Sequence, residues 1–502
     1  TNYYLSVTRF DQKSVFSDEF EFNRTNIQSN ITTDITSKFR VGMQINGRIE
    51  NRENPGVPGG DDYWQPRFAL FRNRPTERPY ANDNPDYPAN INNIETNWAL
   101  LNYDRTGFYE NKWQVLQTNF TAEYEIVPDL VAKGMYSYYL ADNIFNTFEY
   151  TYDVYGYNPE TDEYFRSGGN DNPYRDRGQT KIMENVWQLS LTYNKTFGEK
   201  HNFAAFFLNE RIERTRLYNF VHAVPTNNFL DIIKFADTDT YNDERQEEAR
   251  IGYVGRLNYD YAGKYLLELA GRADASWKFS PDNRWGFFPS VSAGWRISEE
   301  GFMDNFSSNL NMDELKIRAS YGQLGDDNIG IGPFDYLTGY RYGASTVIVD
   351  GENIQGSANT GQPIDNLSWY VANIADIGLD FSFGSGKITG AVDYFHRKRT
   401  GLRGVRNDIF LPLELGYGLK DENLNTDSNS GAELAINWNG KAGDFVFRIG
   451  GNVSYARSKF VESYNPTFSS SWDQYRNSRE DRYNGIFWGY EVTGQFESFE
   501  AI

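Results

Sequence analysis

The run Ile251-Gly-Tyr-Val-Gly-Arg-Leu-Asn-Tyr-Asp-Tyr261, followed by Ala262-Gly-Lys264 and Tyr265-Leu-Leu-Glu-Leu-Ala-Gly-Arg-Ala-Asp274, decides the fold. In its first arm one parity holds Ile251, Tyr253, Gly255, Leu257, Tyr259 and Tyr261, and the other holds Gly252, Arg256, Asn258 and Asp260. Alternation with period two places the two sets on opposite faces of a strand. After the three turn residues, Tyr265, Leu267, Leu269, Gly271 and Ala273 alternate with Glu268, Arg272 and Asp274. The pair reads as a hairpin with a tight turn. Each arm has about 10 alternating residues, long for a globular strand and long enough to cross a bilayer when tilted.

The same texture recurs outward in both directions. Phe287, Pro289, Val291, Ala293, Trp295 and Ile297 alternate with Ser290, Ser292, Gly294 and Arg296; Leu315, Ile317, Ala319 and Tyr321 alternate with Lys316, Arg318 and Ser320. Phe445, Phe447, Ile449, Gly451, Val453 and Tyr455 oppose Arg448, Asn452 and Ser454, and Phe39, Val41, Met43 and Ile45 oppose Arg40, Gln44, Asn46 and Arg48. Arg256, Arg272 and Arg318 all fall on the second face. A sandwich core cannot hold unpaired charges there, whereas a water-filled lumen can. The expected fold is therefore all-β, an antiparallel transmembrane β-barrel, with on the order of 15 strands by this template. Connections alternate in length as barrel turns and loops do. Val127-Pro128-Asp129, Thr196 to Lys200, Ala262 to Lys264, Gly384 to Gly386 and Asn439 to Asp444 are short. The intervals 51–111, 141–182, 215–246, 323–371, 399–430 and 458–484 are long, and surface loops of that length are where binding is carried.

Composition narrows the function. Of the 502 residues, 17% are aromatic, with 36 Tyr, 36 Phe and 11 Trp. Such content argues against disorder and suits surfaces that meet both hydrocarbon and water. A formal net charge of -20 makes a nucleic-acid partner a poor fit. The absence of cysteine removes disulfide frameworks and thiolate chemistry. His201, His222 and His396 are too far apart in sequence to suggest a metal centre, and no cofactor is expected. No apolar run approaches the roughly 20 residues of a spanning helix. Thr1 begins no signal peptide, so export is expected to be encoded upstream.

Several segments resemble the SusC/RagA family of TonB-dependent outer-membrane transporters. The most specific is Phe279-Ser-Pro-Asp-Asn-Arg-Trp-Gly-Phe-Phe-Pro-Ser-Val-Ser-Ala-Gly-Trp-Arg-Ile-Ser-Glu-Glu300, whose core Asn283, Arg284, Trp285, Gly286, Phe287, Phe288, Pro289 and Ser290 matches a run that the family places at this hairpin. Leu315 to Gly322, Ile377 to Thr400, Ser430-Gly-Ala-Glu433 and the tail Gly485 to Glu500 support it, so the resemblance spans essentially the whole chain. It implies a location in the outer membrane of a Gram-negative bacterium and a barrel of about 22 strands, with long extracellular loops and short periplasmic turns. Residues 1–502 are then expected to be the barrel portion, with the plug domain, TonB box and closing C-terminal strands absent from this chain. The implied partners are a SusD-like surface lipoprotein, TonB acting through the plug, outer-membrane lipid, and an oligosaccharide or peptide substrate.

That resemblance implies import of large oligomeric nutrients, glycans or peptides, rather than catalysis; the aromatic and amide-rich loops lean towards glycans. A siderophore- or cobalamin-type receptor and a surface glycan-binding protein without transport are the alternatives. An enzyme with paired carboxylates has no specific signal, since 69 acidic residues allow any pair to be imagined. Candidate substrate-contacting rings lie in the long intervals: Tyr63 and Trp64, Trp369 and Tyr370, and Trp472 and Tyr475. Rings stack on sugar or peptide faces while neighbouring Asp, Asn and Gln give directional hydrogen bonds, although the same rings equally serve to pack a long loop. The basic run His396-Arg397-Lys398-Arg399 sits at a strand end, where a solvated rim is the ordinary reading and anionic lipid the sharper one.

Overall fold

The structure is a computed structural model that describes residues 1–15, 17–56, 64–332, 334–416, 418–464 and 467–501. It falls into two compact units. The first comprises 1–126, 131–189 and 210–249, and the second 127–130, 190–209 and 250–502.

Strands β1 (Asn2–Lys13), β2 (Glu21–Asp34), β3 (Phe39–Pro55), β4 (Gly107–Val127) and β5 (Leu130–Glu149) lie in or mostly in the first unit. A small hairpin, β6 (Tyr152–Asn158) and β7 (Glu163–Asn170), follows, then β8 (Tyr174–Phe197), β9 (His201–Val224) and β10 (Asp237–Tyr261). The second unit adds β11 (Tyr265–Ser276), β12 (Trp285–Arg296), β13 (Met312–Asp326), a hairpin of β14 (Tyr340–Val349) and β15 (Glu352–Asn359), β16 (Tyr370–Phe383), β17 (Ile388–Val405), β18 (Asp421–Ala442), β19 (Phe445–Glu462) and the two-residue β20 (Arg482–Tyr483). Apart from the two small hairpins, strands that follow one another in sequence are hydrogen-bonded neighbours, sixteen in all among the described residues. Pairings from β1 to β4 and from β10 to β20 are antiparallel.

Register converts the alternation into a surface. In the second unit Tyr259, Leu267, Ala293, Ala319, Ile377, Tyr394, Ala432 and Tyr455 follow one another across eight strands. These side chains do not form a core: Leu257 and Leu269 are 45% exposed, Ile377 55% and Val453 62%. A two-sheet interior would bury them, so an apolar face turned to lipid is what remains. Buried clusters occur instead beneath the loops. Phe279, Ile329 and Leu367 form one in the second unit, and Phe20, Ala69 and Leu101 one in the first.

The short turns close by left-handed backbone. Ala262 and Gly263 have φ of 53° and 69°, the two positive values of a hairpin turn whose twist matches that of the flanking strands. The long intervals hold more ladder than the alternation predicts. β5 runs to Glu149 and β8 starts at Tyr174, with β6 and β7 between them, and β17 and β18 take up much of 399–430. Backbone pairing continues past the point where lipid ends, and there both faces are wet, so side-chain alternation no longer reports it.

Candidate functional site

The face opposite the apolar row is charged and paired. On β13, Arg318 reaches Asp376 at 3.1 Å and Asp380 at 3.3 Å on β16, and Asp393 at 2.5 Å on β17; Lys316 lies 3.6 Å from Asp380. Arg318, Gly378 and Asp393 occupy one register row. A Cβ on Gly378 would come within 2.5 Å of both the Arg318 guanidinium carbon and Asp393 Oδ1, so glycine is what lets the arginine cross a whole strand. A cavity of about 970 Å³ opens on this face in the second unit, with Glu268, Ser292, Lys316, Arg318 and Asp376 in its wall. An inner wall of this kind presents donors, acceptors and both charge signs to water, as a channel for polar cargo requires.

The candidate rings part company at this level. Trp369 packs against Phe279 and Phe288, with centroids 5.5 and 5.4 Å away, and its indole N–H donates to the Arg284 carbonyl at 3.0 Å. Tyr370 donates to the Ile329 carbonyl at 3.3 Å and accepts from the Arg403 N–H at 3.0 Å. Both belong to a tied loop base. Trp472 and Tyr475 sit on a short helix, Ser471–Asn477, whose first turn is capped by Ser470. They stack at 5.6 Å, are 62% and 53% exposed, and continue into Trp488, 4.9 Å from Tyr475. Trp472, Tyr475 and Trp488 thus make a ring platform open to solvent. Tyr63 lies outside the described residues; Trp64 begins a helix, Trp64–Arg72, and its side chain lies outside them too.

The motif residues divide by parity. Trp285 and Phe287 join the exposed apolar face, Trp285 stacking with Tyr253 at 6.1 Å. Phe288 turns the other way, is buried, and covers Gly286 and Gly325, where any Cβ would collide with its ring. Asn283 donates to the Asp365 carbonyl at 2.9 Å, and Pro289 and Ser290 carry the strand onward against Gly271 and Ala270. The motif thus joins lipid face, wall and loop base within eight positions.

Sequence reading missed two features of the first unit. Tyr155, Tyr157 and Tyr164 of the β6–β7 hairpin form a cluster with Tyr87 from the preceding long interval, Tyr87 and Tyr164 stacking at 4.0 Å. The Tyr155-x-Tyr157 alternation within 141–182 was the available signal. Arg175, almost wholly buried, donates to the carbonyls of Thr147, Asp176 and Asp231 and to Asn146, riveting the outer end of β8 to its surroundings. Burial pulls its guanidinium down to about 10. Beside it, His222 Nδ1 is 2.6 Å from Asp176, whose carboxyl burial holds above its ordinary range. Among the described residues no His, Asp and Glu gather in a group that could hold a metal ion.

A family model described as "TonB dependent receptor-like, beta-barrel" matches residues 22–499. TonB-dependent receptor P3 of Formosa agariphila is 26% identical over 522 aligned residues, 99% of this chain and 49% of the relative. TonB-dependent receptor SusC of Bacteroides thetaiotaomicron is 32% identical over 222 residues, 42% of this chain and 21% of the relative. Among solved structures, the RagAB peptide importer in its closed-closed state superposes with a TM-score of 0.75 at 18% identity, over 93% of this chain and 50% of that one. That likeness concerns the fold alone. The chain spans about half the length of the curated relatives it matches.

Proposed function

Because the chain belongs to the TonB-dependent receptor-like β-barrel family, outer-membrane proteins of Gram-negative bacteria, we propose that the protein imports large oligomeric nutrients, glycan oligosaccharides ahead of peptides, together with a SusD-like surface lipoprotein. Energy reaches it from TonB through a plug domain, and the barrel itself performs no catalysis. The observation that carries this reading is the two-faced wall: lipid-facing rings on one side, and on the other the ion-paired polar surface around Arg318. Oligomeric cargo with many hydroxyls or amides exchanges hydrogen bonds along such a surface without meeting a dry barrier. The exposed Trp472, Tyr475 and Trp488 platform favours glycans, because sugar rings present apolar faces to aromatic ones. Peptide cargo is the second reading, favoured by the fold-level likeness to the RagAB peptide importer. A siderophore- or cobalamin-type receptor would need a compact chelate or corrin pocket instead.

Uptake of fluorescent oligosaccharides and peptides of matched length, by cells expressing the full-length protein with its lipoprotein, tests the proposal. Oligosaccharide accumulation that needs both partners and stops without TonB is expected. Accumulation of peptides alone would remove the glycan assignment, and uptake independent of TonB would remove the transport reading.

A further inference from the structure

Alternation splits the basic run 396–399 between the two faces of β17. Arg397 and Arg399 follow Asp393 and Phe395 inward, and Arg399 pairs with Asp427. His396 and Lys398 follow Val392 and Tyr394 on the lipid-facing side, where Val392 is 42% and Tyr394 53% exposed. On β19 the same parity carries Val453 and Tyr455 on to Arg457 and Lys459. Register aligns the two strands through β18: His396 lies across from Ser430 and Ser430 from Arg457, while Lys398 lies across from Ser428 and Ser428 from Lys459. Four basic residues therefore occupy the first polar positions beyond the ring row Tyr394 and Tyr455, on its outer-loop side. They span about 10 Å across the strands and about 7 Å along them. Ser428 and Ser430 lie between, and His396 Nδ1 is 2.7 Å from the Ser430 hydroxyl oxygen.

The charge pattern differs from that of β1, β9 and β10 at the equivalent step. Beyond Tyr3, Leu5 and Val7 the outward parity of β1 brings Arg9 and then Asp11, ion-paired at 2.6 Å. On β9 Arg211 is paired with Glu213, and on β10 Arg245 with Glu247, again cation and acid two residues apart on the outward parity. On β17 Lys398 follows His396, and on β19 Lys459 follows Arg457, with no acid at the alternate position. Among the described residues only Lys459 of the four meets a carboxylate, Asp481 at 2.6 Å, while Arg457 lies over the Tyr483 ring at 3.7 Å.

We propose that His396, Lys398, Arg457 and Lys459 form a binding site for the phosphate-bearing headgroup of an outer-leaflet lipid. Depth and charge select this occupant. The site adjoins hydrocarbon through Tyr394 and Tyr455, so an acyl-chain ligand can bury its tails along the apolar row while its phosphate meets the cations. Lysine and arginine close to an anionic lipid surface contribute roughly a fivefold gain in affinity each. The inference uses the barrel's placement in the membrane and is independent of what the protein imports.

The full-length protein, delipidated in detergent, is incubated with phosphorylated lipid A, with chemically dephosphorylated lipid A and with inorganic phosphate, and retained ligand is read by native mass spectrometry. Retention of the phosphorylated lipid is expected to fall roughly 25-fold in the Lys398→Gln, Arg457→Gln double variant and about fivefold in Lys398→Gln alone, and to be unchanged in Arg9→Gln. Heat-modifiable gel mobility reports that each variant keeps its barrel. Equal retention of the dephosphorylated lipid, or undiminished retention in the folded double variant, overturns the proposal. So does displacement of the lipid by millimolar inorganic phosphate, which would make this a free-anion site. A failed import assay leaves these outcomes untouched, and the reverse holds as well.

Discussion

The Trp369 ring fills the space between Phe279 and Phe288 and gives its N–H to the Arg284 carbonyl. Truncating it to alanine opens a gap in the small cluster of Phe279, Ile329 and Leu367. Trp369→Ala is expected to cost on the order of 3 kcal/mol, read as a lower urea midpoint in lipid vesicles, because large aromatic deletions in packed sites cost that much. Trp472→Ala, at an exposed ring, should leave the midpoint in place and weaken oligosaccharide binding several-fold by calorimetry. The sequence did not distinguish these two indoles, since a ring reads alike whether its neighbours arrive from distant loops or not at all. Asp176 offers a residue-scale test with a sign. Burial is the largest influence and raises its carboxyl above 3.8, against the hydrogen bond from His222. A carboxyl raised on folding stabilises the folded state fully below its unfolded value, and that contribution is lost as pH rises through the folded value. Hydrogen-exchange protection at the outer ends of β8 and β9 should therefore decline as pH climbs past 3.8. Asp176→Asn should remove the step that belongs to this carboxyl.

At the scale of the strand, the lipid face and inner wall differ by one position. Leu269 lies within the outward run of β11, and its neighbour Glu268 belongs to the cavity wall. Leu269→Arg should destabilise the inserted barrel by about 2–4 kcal/mol, the cost of a charged side chain near the bilayer midplane. Glu268→Gln, one residue away, should leave insertion unchanged. Urea titration of folding into vesicles reads both. This one-position contrast is also why the membrane-crossing parts of the strands were legible in sequence: lipid on one side and water on the other impose the period. The outward continuations of β5, β8, β9, β17 and β18 were not legible, because with water on both sides only backbone bonds hold the ladder and any residue can donate them. The hairpin β6–β7 was hidden for the same reason. The basic run 396–399 looked like one solvated rim until register assigned alternate members to opposite faces.

At the scale of the molecule, short turns and long loops alternate, which puts turns such as 198–200 on the periplasmic side and hairpins such as β6–β7 outside the cell. The 502 residues contain no cysteine, so within them an introduced thiol is single and reports its own side of the membrane above the background of the unsubstituted protein. Thr161, in the turn between β6 and β7, and Lys200, in the turn between β8 and β9, are both exposed, and neither side chain is needed for its turn. In intact cells expressing the full-length protein, Thr161→Cys is expected to react with a maleimide too polar and too large to cross the outer membrane. Lys200→Cys should stay unlabelled until that membrane is permeabilised, and the unsubstituted protein measures the background. The same labelling before and after permeabilisation at Thr161, together with a gain at Lys200, fixes the direction of the barrel. It also places the lipid-facing cations of β17 and β19 at the outer leaflet, since those residues lie on the loop side of Tyr394 and Tyr455. Labelling of Lys200→Cys in intact cells would reverse the orientation, put that basic site against the inner leaflet and overturn its assignment to an outer-leaflet lipid.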